Sequence, residues 1–270
     1  MQRTRGGYTI VEVLVVLAVG VIIFFAAIAL LGGRQGKTEF SQAMRDVESQ
    51  MQSVVNDVGV SLFPNSGNYD CTLSGGKPSL STTTAGTGTN QDCIFLGKAV
   101  EVDNSSDPNQ LIVFTVLGSR LSGGNIVSSI TETNILDANP VPFTISGGSS
   151  APDLTETYVI PFGVQVVSAR TDKDPGPNTQ TFLTGFYNGQ QSATDQGSLS
   201  LLTLGYIGLK NTGAPGQIKN SIEKNTPHVG TAIKKWSLCF QSGTSNEMAT
   251  LNILSSAAGI STSVVYEDCT

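Results

Sequence analysis

Charge is scarce in this 270-residue chain. Asp, Glu, Lys and Arg make up 13% of it, about half the share of an ordinary soluble domain. The net charge is −6, which argues against a broad electrostatic grip on nucleic acid or anionic lipid. Histidine is almost missing. His228 stands alone beside Pro227 in a loop-like stretch, so a histidine base or a histidine-rich metal centre has no material. No G-x-S-x-G, H-E-x-x-H or G-x-x-x-x-G-K-[ST] run occurs, and with these motifs go the chemistries they carry. The four cysteines include no C-x-x-C pair, the usual spacing of structural zinc. Asp172-Lys173-Asp174 faintly suggests a calcium loop, but Pro175 and Gly176 fall where ligands are wanted. Neither an enzyme nor a bound metal or cofactor is expected.

The chain does contain one long hydrophobic run, from Tyr8 to Leu31, interrupted by a single charged side chain, Glu12. As a helix at about 1.5 Å per residue it reaches roughly 36 Å, enough to cross a bilayer core with some tilt. A carboxylate inside such a helix costs on the order of 2.5–3.5 kcal/mol even on the gentler insertion scales. No Lys or Arg lies within one helical turn C-terminal to Glu12. A free α-amine at Tyr8, created by cleavage after Gly7, would supply the missing partner, in the same chain or a neighbour.

Arg3 and Arg5 in a short leader, then Gly7, Tyr8, Thr9, Glu12 and unbroken hydrophobics resemble the N-terminus of type IV prepilins, the family of pilus subunits and pseudopilins. The resemblance covers about the first 30 residues. It implies that a prepilin peptidase cuts after Gly7 and methylates the amine of Tyr8, and that Glu12 takes part in subunit docking. The implied partners are other pilin subunits, the assembly machinery and, before assembly, the plasma membrane, with the N-terminus cytoplasmic. The chain departs from the family in one respect. Many members carry a proline in the spanning half, and this run has none, so Gly20 or the Gly32, Gly33 and Gly36 joint would have to supply its flexibility.

An ordinary secretory signal peptide is the competing explanation. Arg3 and Arg5 suit its basic region, and Ala27-Ile28-Ala29 offers a small-x-small site. The stretch after the run favours the prepilin instead. Phe40, Met44, Val47, Met51, Val54 and Val58 recur at spacings of four and three, one apolar stripe on a second helix closed by Gly59 and Pro64. A discarded peptide has no need of this continuation.

Beyond the helix, residues 64–90 are rich in turn formers and are expected to be an exposed loop. Strands are expected at 94–102, 111–117, 158–169, 181–187, 198–209, 233–240, 249–254 and 263–266, with 126–136 a short helix or irregular. No stretch between them suits a crossover helix, so the sheet should be antiparallel. The expected fold is thus α+β, a long N-terminal helix packed on an antiparallel sheet head. Its parts are a leader (1–7), a transmembrane or filament-core helix (8–31), an amphipathic helix (32–62) and a β-rich extracellular head (63–270). Cys71, Cys93, Cys239 and Cys269 follow the spanning run, on the side where disulfides persist. Three connectivities are possible, and Cys71–Cys93 with Cys239–Cys269 is favoured because each pair falls within one subregion. Trp236, the single tryptophan, is expected in the core beside the second bridge.

The expected function is structural: a subunit of a type IV pilus or related filament, enlarged or minor because its head is long. A secreted or single-pass β-rich adhesin, with the N-terminus a simple export signal or anchor, is the alternative.

Overall fold

The computed structural model describes residues 8–60, 69–82, 93–102, 107–119, 121–122, 125–126, 135–143, 155–172, 181–189, 200–209, 234–256 and 259–269. The leader, Pro64, Asp174 and His228 lie outside them. The architecture is α+β, with an apolar N-terminal helix followed by antiparallel strands.

Helix α1 (Ile10–Gly59) has 50 residues and is about 75 Å long at 1.5 Å per residue. It runs without a break through Gly20, Gly32, Gly33 and Gly36, so the glycine-weakened joint is not a discontinuity in this structure. Its two halves meet different surroundings. Residues Ile10–Ala27 have a mean hydropathy of 3.0 and none of that window is buried. The second half is amphipathic. All six residues of the apolar stripe are buried, and Ala43 and Val55 widen it. Packing begins one turn earlier, at Gly36, where an added Cβ would lie 3.5 Å from Thr244 Oγ1 and 3.6 Å from Ser245 Cβ. The helix ends at Gly59, where the Val60 N–H donates to Asn56 O at 2.9 Å.

The strands are β1 (Tyr69–Ser74), β2 (Lys77–Thr82), β3 (Cys93–Val102), β4 (Gln110–Ser119), β5 (Leu121–Ser122), β6 (Asn125–Ile126), β7 (Val141–Phe143), β8 (Thr155–Val159), β9 (Gln165–Thr171), β10 (Thr181–Gly189), β11 (Ser200–Leu209), β12 (Lys235–Gln241), β13 (Met248–Ser256) and β14 (Gly259–Val265). They form two principal sheets rather than the single one expected. One has the order β11-β10-β3-β4-β7, with β8 pairing further along β4; the other is β14-β13-β12-β9. The helical stripe shares one core with both. Val100 and Val113 come from the first sheet, and Val166, Trp236, Leu238, Phe240, Leu251 and Ile253 from the second.

Two local expectations need correction. The strand expected at 158–169 is split into β8 and β9 by a 3-10 turn, Pro161–Gly163. Pro161 lacks an N–H for a ladder, and Phe162 and Gly163 both take positive φ, 58° and 66°. This corner carries the chain from one sheet to the other. The stretch 64–90 is not wholly an exposed loop either. Gly75 and Gly76, at φ 61° and 79°, turn β1 into β2 as a two-residue hairpin of the kind that needs positive φ twice. The hairpin buries Cys71 and Leu80 against Leu117, Val141 and Phe143. The region 126–136 supplies the end of β6 and the start of a 3-10 turn, Ile135–Ala138.

Polar contacts fix the helix on its bed. Lys98 of β3, with its side chain 3% exposed, reaches Asp57 Oδ2 on α1 at 2.8 Å and Glu156 Oε1 on β8 at 3.2 Å. On β14, Thr262 Oγ1 accepts from Gln52 Nε2 at 2.7 Å, and just past the strand Tyr266 meets both Ser41 and the Phe40 ring. The exposed Lys37–Glu247 pair at 2.7 Å adds little, as surface pairs do.

Because Met44 is fully buried in the shared core, Met44→Ala should destabilise the folded chain by about 2–5 kcal/mol. Ser49→Ala, on the exposed face, should change stability by no more than about 0.5 kcal/mol. Denaturant titration of the two variants checks this; equal, small effects would show that the helix is not part of the core.

Candidate functional site

The residues singled out at the N-terminus form a capping box. Thr9 has extended backbone and precedes the first helical residue. Its Oγ1 accepts from the Glu12 N–H at 3.3 Å, while Glu12 Oε2 accepts from the Thr9 N–H at 3.0 Å and lies 3.1 Å from Thr9 Oγ1. Two of the helix's orphan donors are satisfied reciprocally. A carboxylate in the first turn is also favoured by the positive end of the helix dipole. Glu12 therefore has a partner within its own chain that the search for basic residues overlooks. The signal was present as T-x-x-E ahead of an apolar run.

The box sets where the carboxylate points. Glu12 is turned back toward the helix start, next to the Tyr8–Thr9 peptide, and both bonds it accepts there use Oε2. Tyr8 itself is 87% exposed. In the intact chain its nitrogen is a peptide nitrogen; only cleavage after Gly7, which lies outside the described residues, would make it an amine. The side chains that follow are bare: Val11, Leu14, Ile22, Phe24 and Phe25 are each more than 60% exposed. An added Cβ on Gly20 would meet nothing within 4 Å. By length and composition this segment is long and apolar enough to cross a membrane.

The cysteines pair as Cys71–Cys93 and Cys239–Cys269, with Cα–Cα separations of 6.1 and 5.8 Å. The first ties the hairpin to the start of β3. The second returns the tail after β14 to β12, so that strand lies along α1 with its far end secured. Beneath that tail, on the outer face of the second sheet, is a cleft of about 340 Å³ lined by side chains including Arg170, Asp172, Lys235, Ser237 and Glu267. Asp172 Oδ1 accepts from the backbone N–H groups of Lys234 and Lys235 at 3.1 and 3.4 Å, which gives it a local structural role. Among the described residues no group of three or more His, Cys, Asp or Glu stands together as a metal site. Trp236 is wholly buried in the shared core. Sequence inspection missed the Lys98 contacts with Asp57 and Glu156, because nothing in a lone strand lysine names its partners.

No family model, curated protein or solved structure matches this chain.

The capping box predicts that Thr9→Ala weakens the helix start by about 1 kcal/mol. Amide exchange at Glu12 should rise roughly fivefold, the equivalent of that energy, measured by NMR on the full chain in detergent micelles. Unchanged exchange there would mean that the Thr9 hydroxyl does not cap the helix.

Proposed function

We propose that this chain is a structural subunit of a type IV pilus or related filament. It is held in the plasma membrane by the first half of α1, cleaved after Gly7 and polymerised through the same helix. The observation that carries the proposal is the division of one helix: an apolar half left bare, joined without interruption to a half built into the head. A mere anchor needs only the first. A filament subunit needs both, because the force holding heads in register must pass along a stiff rod into each folded head. The long head fits a minor or enlarged subunit. The role needs no enzymatic chemistry.

Glu12 has a place in this scheme that the capping box refines. Its carboxylate already bonds the Thr9 N–H, so it is held at the edge of the apolar segment with acceptor capacity to spare at Oε1. Cleavage after Gly7 would place a cationic amine at Tyr8. In a packed bundle of apolar helices, the Tyr8 amine of one subunit and Glu12 of the next would each neutralise the other. Removing Glu12 would leave that amine unpaired in a low-dielectric core, a loss on the order of 3–5 kcal/mol for a buried pair.

Glu12→Ala should therefore insert into the membrane normally but fall at least about tenfold in the sheared filament fraction, since 1.4 kcal/mol already changes an equilibrium tenfold. Quantitative immunoblotting of membrane and filament fractions measures both. Incorporation at the level of the unmodified chain would remove Glu12 from the docking role.

A further inference from the structure

We propose that Lys98 and Asp57 form an intramolecular isopeptide bond that joins the long helix covalently to the head, with Glu156 as the proton carrier. The inference rests on the contact between the packed half of α1 and the head and does not depend on the filament assignment.

Lys98 is an unusual residue for its position. It lies within β3 on the same face as Val100, which is buried in the shared core. Its side chain is 3% exposed, yet Nζ stands 2.8 Å from Asp57 Oδ2 and 3.2 Å from Glu156 Oε1. Directly opposite Lys98 on β4 is Thr115, whose Oγ1 is buried with no hydrogen-bond partner among the described residues. Glu156 lies opposite Val113 on the same face of the sheet. Val54 and Val58, on either side of Asp57 along the helix, are core residues. A primary amine, a carboxyl group and a second carboxylate thus converge at an apolar wall.

That juxtaposition is what amide formation requires. Reactive groups held in contact have effective concentrations of about 10⁵–10⁸ M when well oriented, so a condensation that fails between separate molecules in water becomes accessible. Glu156 takes a proton from the Lys98 ammonium. The freed amine attacks Cγ of Asp57, forming the C–N bond. One carboxyl oxygen then departs as water, carrying two of the three ammonium protons, the first returned through Glu156. An ammonium and a carboxylate give one amide and one water, with no change in oxidation state. Asp57 is the acyl partner because it is both nearer and less exposed, 25% against 50% for Glu156. The product replaces two desolvated charges with a neutral amide and leaves the remaining charge on the most exposed of the three groups, where it is least costly.

The test is a mass measurement on the purified full-length chain after disulfide reduction, followed by proteolytic mapping. The expected result is a branched peptide joining Lys98 to Asp57 and lighter than its two linear parts by one water. Lys98→Arg, which keeps the positive charge, should give only linear peptides. Glu156→Gln should slow accumulation of the branched form by at least about 100-fold, the lower range for a lost acid–base group. Linear Lys98 peptides of full mass from the folded, unmodified chain would overturn the proposal, as would a branch to Glu156 in place of Asp57. A branched peptide forming at an undiminished rate in Glu156→Gln would remove Glu156 from the mechanism. Because the unmodified chain gives the deciding result, a variant that fails to fold does not rescue the proposal.

Discussion

One helix must satisfy two environments, and the rest of the structure follows from that constraint. From Ile10 to Ala27 nothing among the described residues covers it. From Gly36 to Val58 it forms part of the core on which both principal sheets close. The two halves also hold their helical form for different reasons. The Val- and Ile-rich first half has modest intrinsic propensity; in the proposed membrane or filament setting it would be helical because every backbone polar group must be satisfied internally. The second half is helical because its stripe is buried. Most helical stability in proteins comes from packing of this kind.

The head is organised to grip that second half. The corner at Pro161–Gly163 moves the chain from the first sheet to the second, so both present apolar faces to the same stripe. The Cys239–Cys269 bridge secures the tail beyond β14, the strand that meets the helix through Thr262 and the neighbouring Tyr266. Lys98 adds a buried link from the opposite side. Such a pair is weak evidence for stability in itself, because desolvation offsets much of the attraction. Its position, bridging helix and sheet, is what makes it informative.

Much of this was legible in the sequence, but unevenly. The stripe from Phe40 to Val58 was readable because helical periodicity is local. Several strands were readable because alternation and turn residues are local too. Their arrangement in two sheets was not, since β10 pairs with β3 across some eighty residues and no pattern in either strand names the other. The split at Pro161 was legible in principle, as a proline inside an expected central strand argues against that strand. The hairpin at Gly75-Gly76 was also readable from its turn dipeptide. At the N-terminus, Glu12 stands out as a charge in an apolar run, whereas the capping role of Thr9 is carried only by the T-x-x-E pattern that marks a helix start. Lys98 shows the reverse case: an ordinary residue in sequence whose significance lies wholly in contacts made at long range.

In the proposed function the bare half of α1 becomes a filament core once an amine appears at Tyr8 to meet Glu12. The most direct test is the N-terminal mass of the mature protein, taken from the cell surface fraction of its native host. The expected result is a chain beginning at Tyr8 with a methylated amine. A mature chain beginning at residue 30, after the Ala27-Ile28-Ala29 site, or one retaining Met1, would contradict it.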